Sequence, residues 1–122
     1  MEPIVLDAAT DLATDTSSQL FLGRDHGVDA SMFFVHFVPG QGPRLHRHPY
    51  PEVFVVQAGE ATFRVDGAEY PGRPGQVIVV PAGAAHAFRN SGSETLEVIS
   101  VHPVAEMETE WLEEEGDRTP PG

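Results

Sequence analysis

The chain contains no cysteine and no lysine. Without thiols, disulfide frameworks, thiolate zinc sites and cysteine nucleophiles are all excluded. Its basic residues are all arginine, 7 in number against 19 acidic residues, for a formal charge of −12. Phosphate binding needs clustered Lys and Arg, so this balance excludes nucleic acid and anionic membrane surfaces as partners. No run approaches the ~20 consecutive apolar residues needed to span a bilayer. The start, Met1 to Asp7, lacks the basic opening and apolar stretch of a signal peptide. A cytoplasmic protein of one domain is expected from these absences and from the length of 122 residues.

What is present is a succession of short Val-, Phe- and Ile-rich runs cut by Gly and Pro. Residues 1–31 are weakly patterned and read as an N-terminal arm with one or two edge strands. Residues 32–104 read as the core. Strands are expected at Met32–Val38, Val53–Ala58, Ala61–Val65, Gln76–Val80, His86–Arg89 and Leu96–His102. Asp66-Gly67 is a hairpin signal, because Gly accepts positive φ at little cost. Short strands at regular spacing, with turn chemistry between them, argue for an all-β sandwich or barrel. Residues 105–122 read as an acidic helix over Ala105–Glu115 followed by a frayed tail. Met107 and Trp111, four apart, would share one face of that helix.

Chemistry concentrates in three histidines and a glutamate. His46 and His48 are two apart, Glu52 follows four later, and His86 returns beyond a Gly/Pro-rich stretch. If residues 46 to 52 form one strand, 46, 48 and 52 share parity and point to one face. A second strand carrying His86 past that face completes a three-nitrogen, one-oxygen cage. Imidazole suits Zn, Cu, Fe and Ni, and the carboxylate adds preference for harder divalent ions. A buried Glu is costly unless paired, and a metal is a natural partner for it. One carboxylate leaves a bound divalent ion with a local charge near +1, which favours an anionic or O₂-derived ligand.

The spacing resembles a known family. Gly40, His46-Arg47-His48, Glu52 and Gly59 fall at the fixed positions of the first cupin motif. Gly75, Pro81-Ala82-Gly83, His86 and Asn90 fall at those of the second. The resemblance covers residues 40–90 and implies a double-stranded jelly-roll barrel, with the acidic helix appended at its C-terminus. It implies a divalent transition metal (Fe, Mn, Ni or Zn) held by His46, His48, Glu52 and His86. It also contributes to the expectation of a homodimer, since an open sheet has edges to cover.

Further site candidates follow from the strands. Histidine is the side chain suited to proton transfer near neutral pH, so His36 and His102 are candidate general acids or bases if they face the interior. Phe54 and Val56 continue the parity of the ligand strand and Phe88 lies two after His86, so these are candidate pocket walls. Tyr50, between two prolines that remove backbone donors, is a fourth candidate on a bulged segment. Asn90 is expected to tie a loop through its amide. Function is expected to be a metal-dependent enzyme on a small organic molecule, foremost an Fe(II)- or Mn(II)-dependent dioxygenase. The alternatives are a non-catalytic binding or sensing module for a small metabolite, and a metal-dependent isomerase or lyase.

Overall fold

Glycine and proline punctuation divides the chain into eleven short strands in a computed structural model that describes residues 1–113. A six-stranded sheet runs in the order β1 (Ala13–Thr14), β2 (Ser18–Phe21), β3 (Ser31–Phe37), β10 (Leu96–His102), β5 (Glu52–Ala58), β8 (Val77–Val80). A five-stranded sheet runs β11 (Glu110–Trp111), β4 (His46–Arg47), β9 (His86–Asn90), β6 (Ala61–Val65), β7 (Ala68–Gly72). Neighbours pair antiparallel throughout, as the jelly-roll expectation requires. Among the described residues no helix is long and apolar enough to cross a membrane.

Alternation along the strands sorts the side chains. Side chains reverse face at each step of a strand, so one parity of β3, β5 and β10 faces the opposite sheet. That parity buries Val35 and Phe37, Phe54 and Val56, and Leu96 and Val98. Phe63 and Phe88 meet them from the five-stranded sheet, and Phe54, Phe63 and Phe88 pack with ring centroids 5.1–5.2 Å apart. Each such ring contributes roughly 1.5–3 kcal/mol by leaving water. The same inward parity carries Glu52 on β5 and Ser100 and His102 on β10, all buried. The interior is therefore apolar at one end of β5 and β10 and polar at the other, and the polar end holds the site.

Turn chemistry fixes the register. Asp66 and Gly67 both have positive φ, 46° and 85°, as a two-residue hairpin turn between β6 and β7 demands. At Gly59, φ is +83° and a Cβ would lie 2.6 Å from the Thr95 carbonyl oxygen, so a side chain is excluded twice over. The Asn90 amide donates to the carbonyls of Phe37 at 2.8 Å and Glu94 at 2.7 Å, and its oxygen accepts from Gly92 at 2.9 Å. Pro71 is accommodated because β7 is an edge strand.

The acidic helix does not form over the described part of 105–115; Glu114 and Glu115 lie outside the described residues. Instead residues 110–111 become β11, with Trp111 opposite His46 and Glu110 opposite Arg47. An isolated helix of this length is marginal in water, and its like charges repel at helical spacing. Pairing with β4 gives the segment ladder hydrogen bonds and a place for Trp111. The helices among the described residues are one turn, α1 (Ala8–Asp11), and a 3₁₀ turn at Gly23–Asp25.

Candidate metal centre

The four expected ligands come together, but not along one strand. β4 ends at Arg47 and β5 begins at Glu52, and the Pro49-Tyr50-Pro51 segment between them carries the chain from the five-stranded to the six-stranded sheet. His46 is brought to His86 as its direct partner across β4 and β9. Glu52 approaches from the opposite sheet. Parity thus places His46 and Glu52 only within their own strands, and the proline break supplies the rest. One ligand atom from each of His46, His48, Glu52 and His86 lies within 4.8 Å of the others, and all four side chains are buried.

The imidazoles are oriented for ligation. His46 Nδ1 lies 2.6 Å from the Arg44 carbonyl, His48 Nδ1 2.9 Å from the Glu108 carbonyl and His86 Nδ1 2.9 Å from the Ala84 carbonyl. A carbonyl only accepts, so each Nδ1 carries the hydrogen, the arrangement that fixes metal-binding histidines. Each Nε2 then points inward. Glu52 Oε1 stands 3.0 Å from both His48 Nε2 and His86 Nε2. For His48 the angle makes no hydrogen bond, and its buried Nε2 has no hydrogen-bond partner. A carboxylate oxygen between imidazole nitrogens at this distance needs a proton or a cation there. A divalent ion satisfies all of these atoms at once, so the residues fit a metal, and His46, His48, Glu52 and His86 could hold it.

Glu52 Oε2 is held separately. Ser100 Oγ donates to it at 2.7 Å, and His102 Nε2 lies 3.2 Å away. Burial pushes the Glu52 carboxyl up, but the imidazoles of His102, His48 and His86 packed around it outweigh this and hold the group well below its ordinary value. Burial, and then the adjacent His86, push His46 down to about 4. His46 is therefore neutral near pH 7, as a ligand must be. Burial also lowers His48, yet the Glu52 carboxylate and the Glu108 carbonyl outweigh it and raise this histidine.

A cavity of about 200 Å³ opens from the ligands. Phe54 and Phe88 line it, with Phe33, Phe37, Met107 and Trp111. Val56 does not; it lies among the core residues, 1% exposed. His102 lines the cavity with its Nδ1 3.0 Å from the Tyr50 hydroxyl. Tyr50 stands beside the cavity, stacked on His48 at a centroid distance of 5.0 Å. Its hydroxyl accepts from the Glu108 N–H at 3.2 Å, and burial pushes its pKa up.

His36 is not at the site. It lies on the outward parity of β3, exposed, with Nδ1 3.2 Å from Glu97 and Nε2 2.9 Å from Gln19. The acid/base expectation for His36 is corrected accordingly.

Three features escaped the sequence reading. Ser100 is one: it shares the inward parity of Val98 and His102, which would have found it. The others belong to the strap of residues 105–113. Met107, Thr109 and Trp111 face the cavity at strand period, and the Glu108 carbonyl fixes the His48 tautomer. Arg47 clasps Glu110 through two hydrogen bonds of 3.0 and 2.9 Å, and Glu113 accepts from the Leu45 N–H at 2.8 Å. Trp111 lies 5.0 Å from the His46 ring, centroid to centroid, and the Arg44 guanidinium stacks on it at 4.5 Å.

Known proteins are similar to parts of this chain. Protein SchB of Streptomyces halstedii is 39% identical over 69 residues, covering 55% of this chain and 50% of that protein. Auxin-binding protein 1 of Arabidopsis thaliana is 31% identical over 86 residues, covering 62% of this chain and 43% of that one. The chain thus spans about half or less of the length of these curated relatives. A solved Bacillus subtilis oxalate decarboxylase, described for its Mn(II) centres, superposes with a TM-score of 0.70 at 21% identity. The match covers 83% of this chain and 29% of that one, and carries the fold alone. The family described as Cupin domain matches residues 33–102, from the inward-facing Phe33 to His102 and including all four candidate ligands. By that match, and by the two facing sheets with their buried His/Glu cluster, the chain belongs to the cupin family.

Proposed function

We propose that the protein is a metal-dependent cupin enzyme acting on a small organic molecule, specifically an Fe(II)- or Mn(II)-dependent dioxygenase. One observation carries the reading: three imidazole nitrogens and one carboxylate oxygen converge at an aromatic-walled cavity of about 200 Å³. A bound divalent ion would supply Lewis acidity and, as Fe(II) or Mn(II), a redox-active centre. The chain supplies the rest. Phe54 and Phe88 form walls that keep bulk water from the ligands. His102, between Glu52 Oε2 and the Tyr50 hydroxyl, is the side chain placed to hold or pass a proton at the cavity edge. The description of the oxalate decarboxylase structure for Mn(II) centres supports the choice of metal.

A second reading, a barrel that holds a metabolite without turnover, draws support from the auxin-binding name of a relative. The two are separated by elemental analysis of protein purified without added metal or chelator, followed by O₂-uptake screening of the iron- or manganese-loaded form. Iron or manganese with substrate-dependent O₂ consumption supports the dioxygenase. Zinc, or a loaded protein that binds small molecules without consuming O₂, supports the binding module. Absence of metal after reconstitution sinks the metal-dependent enzyme and leaves a binding barrel.

The proposal includes a homodimer. The outward parity of the six-stranded sheet sets Ile99 beside Phe34 and Val55, and Val101 beside Met32 and Val53. Val77 and Val79 at its edge are 61% and 62% exposed. An apolar stripe of this kind, bordered by the exposed His36–Glu97 pair, marks an association surface, and it suits a second copy of itself across a two-fold axis.

A further inference from the structure

Among the described residues the cavity has one polar anchor and no second. Among its lining residues there is no arginine, and the chain has no lysine. Arg44 stacks on Trp111, Arg47 is clasped by Glu110 and Arg64 pairs with Glu113, and none of the three lines the cavity. The polar side chains that do line it are engaged. Ser100 and His102 contact Glu52 Oε2, and Thr109 Oγ1 lies 3.3 Å from His48 Nδ1. The remaining wall is apolar: Phe33, Phe37, Phe54, Phe88, Met107 and Trp111.

From this we infer the ligand class of the site: a flat, single-ring molecule bearing one monoanionic oxygen head. The inference rests on the proposed metal site and goes beyond it. Charge selects the head. A divalent ion with one Glu52 carboxylate and neutral histidines leaves a centre near +1, which a carboxylate, phenolate or enolate neutralises. A dianion would carry an unbalanced charge into an apolar cavity with no cationic side chain among the described residues lining it, and such burial is costly. Size selects the body. An apolar cavity of about 150 Å³ takes benzene, so about 200 Å³ takes one ring and a short head group. Shape agrees, because four Phe rings and the indole present faces and edges to a planar guest.

The test uses the full chain loaded with Co(II), whose visible spectrum reports entry of a head group, while Trp111, the single tryptophan, reports the ring by its fluorescence. The probes are benzoate (ring and monoanion), acetate (head without ring) and oxalate (dianion without ring). Benzoate is expected to bind between about tenfold and a hundredfold more tightly than acetate, from burial of the ring. Oxalate is expected to bind more weakly than benzoate. Met107→Trp, which narrows the cavity, is expected to weaken benzoate at least about tenfold on the cobalt signal and leave acetate unchanged. Oxalate binding as tightly as benzoate, or benzoate no tighter than acetate, would overturn the ligand class and leave the metal enzyme standing. Failure to load Co(II) at all would overturn both.

Discussion

His46 and His86 stand directly opposite each other on β4 and β9, with ring centroids 4.3 Å apart. Two buried imidazoles this close cannot both be charged, and burial and His86 together already push His46 down to about 4. Both rings bring a ligand nitrogen to a shared point. His86→Ala removes one of the four donors and unties Glu52 Oε1. Losing a supporting hydrogen bond alone costs about 10–100-fold in metal affinity, and losing a ligand is expected to exceed this. Metal-to-protein ratio by elemental analysis, with a circular dichroism spectrum to verify the fold, checks it. A variant that keeps wild-type metal content would remove His86 from the site.

Ser100 tests the outer support. Its hydroxyl donates to Glu52 Oε2 at 2.7 Å, which leaves Oε1 as the oxygen facing the imidazoles. Ser100→Ala is expected to weaken metal binding by about 10–100-fold while Ser100→Thr restores most of it. Competition with a chromophoric chelator measures both. Equal affinity in the alanine variant would make Ser100 a packing residue.

How far the sequence reaches is visible in particular elements. Ala61–Val65 and Leu96–His102 were bounded correctly because turn residues flank them on both sides. The ligand quartet was legible because its spacing is a gapped pattern tied to a fold. His36 was not, because Phe33 and Phe34 are adjacent apolar residues on opposite faces of β3. When the outer face is apolar too, hydrophobicity cannot say which parity points inward. The strap was missed for another reason: residues 105–111 favour a helix locally, and only pairing with β4, far off in sequence, overrides that preference.

Acid should destabilise the metal-free protein. His46 has a folded value of about 4 against an ordinary 6.5. Between these pH values the unfolded chain binds the proton more readily, so stability falls as pH drops from 6.5 to 4. The loss is roughly 3 kcal/mol at most. Glu52, also depressed, adds stability above its unfolded value of 4.5 that is lost as pH falls through its lower folded value. His48 is raised, so its contribution is complete below 6.5 and fades as pH rises through its folded value, opposing the others only on the alkaline side. The melting temperature of chelator-treated protein is therefore expected to decline from pH 6.5 to pH 4. A flat profile over that window would contradict the buried, neutral His46.

The strap should govern how fast metal leaves. Arg47 and Glu110 clasp its end in the open, and the Glu108 carbonyl two residues earlier holds His48 Nδ1. Exposed pairs contribute little to stability, so Glu110→Lys is expected to leave the melting temperature nearly unchanged. Opening of the strap is expected to become about two- to fivefold more frequent. Because opening unties a ligand, metal transfer to excess chelator should accelerate by that same factor. An unchanged transfer rate would uncouple the strap from the metal site.

The outer sheet face carries the last prediction. Val55 lies on the outward parity of β5, between Ile99 on β10 and Val77 on β8. It is far from the ligands in direction, since Glu52, Phe54 and Val56 take the opposite parity. Val55→Asp places a charge in the middle of the apolar stripe and cannot be solvated if two copies pack there. Sedimentation is expected to show the wild type as a dimer and the variant as a monomer, with metal content equal in both. A wild-type monomer would refute the interface outright. A variant that stays dimeric would move it off this face, because no isologous contact through the stripe could bury two aspartates without partners.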